Sequence, residues 1–330
     1  MSNPIKIGTR GSKLALWQAS YVADKLKAGG LDTEIITIET KGDKILNKTI
    51  AKIGNKGVFT QELEEKLKDS SINIAVHSAK DMLSELDDEL EIIAFTEREM
   101  VNDVLVSYDK SISLQDRTRN ITIGTSAVRR IAMLKHYYPH IKTINVRGNI
   151  QTRFEKLRNE DNKIRNSKFE IKNQKSKIKN QKCDALILAY AGVHRMGYQD
   201  YIVEKLPDDT FTPAVGQGAL AIEAARSLDY DTRQTIKAFT NHAETEYCLI
   251  AERSFLKTIQ GGCSVPVFAL AKLSDNYLTI EGGIISLDGK ELIKEQISGS
   301  IKDCKEIGDK LAIKVLEKGG RRIIEKIKNL

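Results

Sequence analysis

The chain opens on an alternation of apolar and polar positions. Ile5-Lys6-Ile7-Gly8 has the period of two that marks a strand, and Ser12 to Lys27 then changes to a helical period, with Leu14, Trp17, Tyr21 and Leu26 largely to one side. Ile35 to Ile38 reads as a second strand. Phe59 to Leu67 reads as a helix whose Phe59, Leu63 and Leu67 share a face. Ile72 to Val76 is another strand, running into His77-Ser78-Ala79-Lys80-Asp81. The cadence restarts after about residue 100. Strands are predicted at Val104–Val106, Ile121–Gly124, Ile144–Val146 and Ala185–Leu188, and a helix at Ser126–Tyr137. This alternation predicts an α/β fold with sheets covered by helices on both sides, in which ligands gather at the C-terminal ends of strands beside helix N-termini. After Pro213-Ala214-Val215-Gly216-Gln217-Gly218 the character changes. A long helix is expected from Ala243 to Ile259, then short strands at 267–273, 277–285 and 291–297, and a closing helix from Ile301 onward. That is an α+β module and a third domain.

Composition adds limits. The 330 residues, 41% of them hydrophobic, suffice for two or three cores. No run of 18 apolar residues exists, so no membrane span is expected, and the N-terminus enters a strand pattern without a signal-peptide core. Four scattered cysteines, with no CxxC pair, point to a reduced cytoplasmic protein, and the five histidines show no metal-ligand spacing. The net charge of +7 belongs to one segment: residues 156–182 hold ten Lys/Arg against three Asp/Glu, and the remainder is neutral. The basic stretch, about 159–182, contains the near-repeat Ile171–Lys175 and Ile178–Lys182 and too few apolar residues to bury a face. It reads as an exposed insertion rather than a nucleic-acid-binding arm, since Phe169 is its one aromatic residue.

Candidate chemistry gathers at the strand ends. Gly8-Thr9-Arg10-Gly11-Ser12, Gly124-Thr125-Ser126-Ala127-Val128-Arg129-Arg130, Val146-Arg147-Gly148-Asn149-Ile150-Gln151-Thr152-Arg153 and Gly192-Val193-His194-Arg195 each join small or hydroxyl residues to arginine. Lys52, Lys56 and Lys80 occupy comparable junctions. Any one such arginine is best read as solvated or structural. As a set, arginines repeatedly placed against a helix N-terminus oppose its dipole, which suggests an anion between them. Phosphate-binding glycine motifs are absent, so carboxylates are at least as good a ligand. Asp81, among these bases, is suited to steadying positive charge and moving protons at a nitrogen. In Gly261-Gly262-Cys263-Ser264-Val265-Pro266, two glycines and a proline display a thiol for covalent chemistry, although a small buried thiol is the commoner fate of cysteine.

Across essentially the whole chain outside the basic insertion, the sequence resembles the porphobilinogen deaminase (hydroxymethylbilane synthase) family. The resemblance rests on GTRGSKLALWQA (8–19), KGD (41–43), AKIGNKGVFTQELE (51–64), IAVHSAKD (74–81), GTSAVRR (124–130), VRGNIQTR (146–153), LAYAGVHRMG (188–197), PAVGQGALAIE (213–223), HAETEYCLIAER (242–253) and GGCSVP (261–266). It implies two similar periplasmic-binding-protein-like domains, 1–99 with 213–239 and 100–212, flanking an active-site cleft, and a smaller α+β domain, 240–330. It further implies a dipyrromethane cofactor in thioether linkage to Cys263. Four porphobilinogen molecules would be joined head to tail with loss of ammonia, and hydroxymethylbilane then released by hydrolysis. On this resemblance Asp81 and Lys80 are catalytic. The cofactor is held by Lys80, Asp81, Thr125, Ser126, Arg129, Arg130, Arg147 and Gly148, and substrate by Arg10, Ser12, Arg147, Arg153 and Arg195. Lys52 and Lys56 lie on a mobile loop, with hinges near 97–103 and 213–218.

Three positions depart from the family pattern: Ala127 stands for a common serine, Leu83 for a proline and His194 for a frequent lysine. The first removes a hydroxyl, the second loosens a loop, and the third weakens the local positive field. The expected partner is porphobilinogen, acting on a cytoplasmic monomer that binds neither nucleic acid nor membrane. A non-catalytic two-lobed solute-binding or sensing module is the alternative, though it gives no reason for the Gly-Gly-Cys turn.

Overall fold

The computed structural model describes residues 3–40, 60–157, 182–260, 262 and 264–329. Lys52, Lys56, Phe59, Gly261, Cys263 and nearly all of the basic insertion therefore lie outside the described residues. Strand β1 (Ile5–Arg10) pairs in parallel with β2 (Thr33–Ile38) on one side and β3 (Ile74–Ser78) on the other. Helix α1 (Lys13–Ala28) starts where the Ser12 hydroxyl accepts the Ala15 N–H, satisfying one of the donors a helix start leaves open. Its buried face is Ala15, Gln18, Ala19, Val22, Ala23 and Leu26. Trp17 stays 37% exposed and stacks on Tyr21. The expected stripe through Trp17 is thus displaced, because the small alanines let the helix lie close on the strands and leave no room for rings. Helix α2 (Gln61–Lys68) buries Leu63 and Leu67.

The rest of this sheet depends on distant sequence. Between β3 and the edge strand β4 (Leu90–Phe95) runs β10 (Leu220–Ala225), antiparallel to both, giving the order β2-β1-β3-β10-β4. A second sheet repeats this plan with β5 (Asp103–Val106), β6 (Thr122–Gly124), β7 (Lys142–Ile144), β8 (Ala185–Ala189) and β9 (Ile202–Lys205), in the order β7-β6-β8-β5-β9. Here β6 is parallel to β7 and β8, and β5 is the inserted antiparallel strand. Helices α3 (Val128–Tyr137), α4 (Ile150–Phe154) and α5 (Tyr190–Arg195) follow β6, β7 and β8. Strand β7 ends two residues earlier than its pattern suggests, because the chain leaves the sheet for the turn at Gly148, whose φ is +109°. Two mixed five-stranded sheets of the same order and sense, each receiving one strand across the boundary, form the expected pair of similar α/β lobes.

The C-terminal unit is an antiparallel sheet of β11 (Val267–Ser274), β12 (Tyr277–Ile285) and β13 (Leu292–Ser300). Helix α6 (Tyr230–Thr240) leads into α7 (Ala243–Thr258), which packs Phe255 and Ala251 against Leu311 and Ala312 of α8 (Cys304–Val315) and against the sheet. The single closing helix expected from Ile301 is broken at Gly319, φ +113°, into α8 and α9 (Arg321–Lys328).

The two segments that cross between the lobes, 96–102 and 206–219, lie backbone against backbone. A Cβ on Gly218 would sit 2.4 Å from the Glu99 carbonyl oxygen, and one on Gly216 2.9 Å from the Ala79 carbonyl carbon; both glycines have positive φ. Only glycine fits such a crossing. The third unit is locked to it by Glu252 of α7, which has no exposed surface. Its carboxylate accepts Arg98 Nη1 at 2.5 Å and Nη2 at 3.0 Å, the Gly216 N–H at 2.8 Å and the Ala271 N–H at 2.9 Å. Truncating one partner of a buried ion pair strands the other charge. Glu252→Ala is therefore expected to lower unfolding stability by about 3–5 kcal/mol, read from the urea midpoint, and a loss under about 1 kcal/mol would refute this role.

Candidate active site

A cavity of about 80 Å³ opens where β1 and β3 end and α1 and α2 begin. Arg10, Ser12, Gln18, Thr60, His77, Ser78 and Asp81 line it. Gln18 donates to the Ser78 hydroxyl at 2.8 Å, so the N-terminal part of α1 is tied to the end of β3. The 3-10 turn Ala79–Asp81 that follows β3 turns Asp81 outward, exposed, and leaves Lys80 half-buried. The turn is braced from behind: Ala79 and Met82 pack with Leu249 of α7, and Arg253 of α7 donates to the Leu83 carbonyl at 2.8 Å. The position where a proline was expected is thus fixed by a guanidinium from the third unit.

The second lobe faces this turn with cations. Arg153 donates through Nε to the Gly148 carbonyl at 2.8 Å. Burial, then Arg130 and Arg147, draw its guanidinium down to about 10, while Asp81 pulls the other way. Asp81 and Arg153 therefore share one field across the lobe boundary. Lys80 is lowered to about 8, first by burial and then by Arg130, against Asp81 and Asp103. Its Nζ lies 3.5 Å from Gln217 Oε1.

Arg129 and Arg130 at the start of α3 are buried, and the anion expected between such arginines is in part the protein's own. Asp103, with no exposed surface, accepts Arg129 Nη2 at 2.7 Å, Arg130 Nη2 at 2.7 Å and Gln217 Nε2 at 2.9 Å. Burial would raise this carboxyl, but the two guanidiniums outweigh it and hold the carboxyl far below the ordinary carboxylate range. Arg129 also donates to the Thr212 carbonyl and Arg130 to the Ile187 carbonyl, while Arg130 Nε is buried with no hydrogen-bond partner. Thr125 is buried, its hydroxyl accepting the Ala127 N–H at 3.3 Å, and Ser126 beside it is half-buried. Arg195 donates to the Gly218 carbonyl at 2.7 Å and lies over the Trp17 ring, which places it at the crossing between α1 and α5. His194 pairs with Glu99 at 2.8 Å on the same crossing. Asp103, Gln217, Gln18, His77 and Glu223 are site-forming residues that the sequence reading passed over. Asp103 left one trace, a charge at the head of the otherwise apolar run Val104-Leu105-Val106.

Fold and site together define a two-lobed α/β protein whose cleft sets guanidinium and ammonium groups around one exposed carboxylate, a donor set made for a polycarboxylate that also carries N–H groups. Residues 5–234 match the family described as porphobilinogen deaminase, dipyromethane cofactor binding domain, and residues 246–317 match porphobilinogen deaminase, C-terminal domain. The chain is 49% identical over 324 residues to a porphobilinogen deaminase of Desulfosudis oleivorans, covering 98% of each chain. It is 47% identical over 328 residues to one of Cytophaga hutchinsonii, covering 99% of this chain and 98% of that one. The chain belongs to the porphobilinogen deaminase family. Its activity is that of a hydroxymethylbilane synthase, EC 2.5.1.61, in tetrapyrrole biosynthesis, and its cofactor is dipyrromethane. The described residues fit that cofactor: cations for its acidic side arms, the orphan Arg130 Nε among them, and Asp81 for pyrrole N–H groups.

The lowered Lys80 value sets a pH dependence. Its ammonium can grip a carboxylate below about pH 8, and that grip is lost as pH rises through this value. KM for porphobilinogen should therefore climb on the alkaline side near pH 8. Lys80→Arg, charged throughout, should flatten that limb; an unchanged limb in this variant would assign it to another group.

Proposed function

We propose that Asp81 is the catalytic carboxylate of the condensation and Lys80 its cationic neighbour. Asp81 contacts the pyrrole N–H groups and steadies the positive methylene carbon left when ammonia departs. Lys80, with Arg147 and Gly148, holds acidic side arms near the reacting centre. Arg10 and Ser12 from the first lobe, and Arg153 from the second, hold those of incoming porphobilinogen. Arg130 reaches the ligand through its open Nε, and Arg129 acts behind it by fixing Asp103. Thr125 and Ser126 shape the same wall, and Arg195 acts from the crossing segment. Each charged hydrogen bond contributes about 1.5–3 kcal/mol, so three or four suffice to retain a growing polyanion.

When bound, the dipyrromethane supplies the pyrrole carbon on which the chain is extended. Its tether is Cys263, which falls in the sequence between α7 and β11, and α7 is the helix that braces the Ala79–Asp81 turn. Four porphobilinogens are joined in turn with loss of ammonia, and water releases the tetrapyrrole. Three units, 1–99 with 213–239, 100–212 and 240–330, accommodate this growth by moving about 97–103 and 213–218. The protein acts as a cytoplasmic monomer on porphobilinogen, without nucleic acid; Cys248 and Cys304 are buried thiols, as a reducing compartment keeps them. Among the described residues no helix is long and apolar enough to cross a membrane.

The observation that carries these roles is the shared field of Asp81, Lys80 and Arg153 across the two lobes. Intact-mass measurement should show an adduct the size of two pyrrole units, mapping to Cys263 and missing from Cys263→Ser. Asp81→Asn should retain the adduct yet lose turnover by at least about 100-fold. Near-normal turnover in Asp81→Asn would remove it from the chemistry.

A further inference from the structure

Each condensation leaves one proton to be moved. The pyrrole α-carbon that attacks the methylene forms a new C–C bond as the C–N bond to ammonia is lost. Its own C–H bond must then give up a proton, and the balance is R–CH2–NH3⁺ + H–R′ → R–CH2–R′ + NH4⁺. Asp81 faces the developing positive charge, whereas this proton comes off a different atom.

We propose that His77, backed by Glu223, is the base that takes the α-proton and passes it to the departing ammonia. The inference rests on the condensation assigned to this cleft. His77 lines the same cavity as Asp81. Its Nε2 lies 3.1 Å from Glu223 Oε2 on the neighbouring strand β10, where Ala221, two residues earlier, is its register partner. Glu223 has no exposed surface, and its second oxygen, Oε1, is buried without a partner. A buried carboxylate with an idle oxygen is an expensive way to hold a ring in place, and such exceptions mark functional sites. Set against Nε2, the carboxylate keeps the proton on that nitrogen and leaves the Nδ1 lone pair to meet the cavity. It then stabilises the imidazolium that forms.

The surroundings support a proton carrier. Glu64 of α2 stands near both residues, its carboxyl raised by burial, with the Thr60 hydroxyl and His77 drawing it down and Glu223 adding to the rise. Arg253 of α7 interacts with Glu223 from the third unit. Among the described residues, Arg10 at the end of β1 and Asp81 after β3 complete the charged groups that share this cavity or face the dyad. Among the described residues, three carboxylates against two guanidiniums leave the vicinity favourable to a transient positive charge on the ring.

The test uses His77→Gln, which retains an N–H for Glu223 and removes the basic lone pair. Expected are a kcat at least about 100-fold lower with little change in KM, loss of the acid limb of the kcat–pH profile, and enzyme-bound intermediates piling up in the intact-mass spectrum. Glu223→Gln should move the acid limb to lower pH, because the imidazolium loses its counter-charge. Independently of turnover, ¹⁵N NMR of the resting wild-type protein should show His77 protonated at Nε2 and bare at Nδ1, titrating reversibly. A folded His77→Gln enzyme with wild-type kcat and an intact acid limb overturns the proposal, as does an NMR signal placing the proton on Nδ1. Should His77→Gln not fold, the Glu223→Gln profile and the wild-type NMR decide alone. Wild-type protein that consumed no porphobilinogen would instead count against the activity itself.

Discussion

Asp103 lies without solvent contact between two guanidiniums and an amide, and the arrangement of the cleft follows from it. Two arginines in the first turn of α3 are unfavourable twice over, by burial and by the helix dipole. One carboxylate, accepting from both at 2.7 Å, makes them tolerable and still leaves the trio with a net positive charge. Gln217 extends the network: it donates to Asp103 and to the Val101 carbonyl, and its oxygen meets Lys80 and Arg130 at 3.5 Å. The segment that carries the chain back to the first lobe thereby touches Lys80 and the arginine wall together.

That same segment links the third unit to the chemistry. Arg98 donates to the Gln217 carbonyl through Nε and to Glu252 through both terminal nitrogens, while Glu252 also takes N–H groups from Gly216 and Ala271. Displacing α7 would disturb Gly216, which lies against the Ala79–Lys80 backbone, and Arg253, which holds Leu83. On the proposed attachment at Cys263, the unit that bears the ligand also braces the turn carrying Lys80 and Asp81, which keeps the two in fixed relation while the cleft fills.

Electrostatically the site is built from like charges. Burial, then Arg130 and Arg147, lower the affinity of Arg153 for its proton, so this group exists in a state that an anionic ligand relieves. Repulsion held in place by packing turns into binding energy when carboxylates arrive, and each added pyrrole brings two.

Much of this was legible in the sequence, because periodicity and local motifs report what neighbouring residues do. The α/β cadence, the third unit, the strand-end arginines, Lys80-Asp81 and the Gly-Gly-Cys turn are all local signals. Residues whose meaning comes from a distant partner were not legible. Strand β10 pairs with β3 across some 140 positions of chain, so neither its place in the first sheet nor the His77–Glu223 contact leaves any periodic trace. Arg129 and Arg130 were visible as arginines, but their counter-ion Asp103 lies 26 and 27 residues upstream on an antiparallel strand. Trp17 satisfied the helical pattern yet stands outside the core, since how closely a helix lies on a sheet is set by both surfaces. Which groups are available for chemistry follows from the order of residues alone. Which charges neutralise each other, and which are left for the ligand, follows from the folded arrangement, because it depends on distances between segments that share no local pattern.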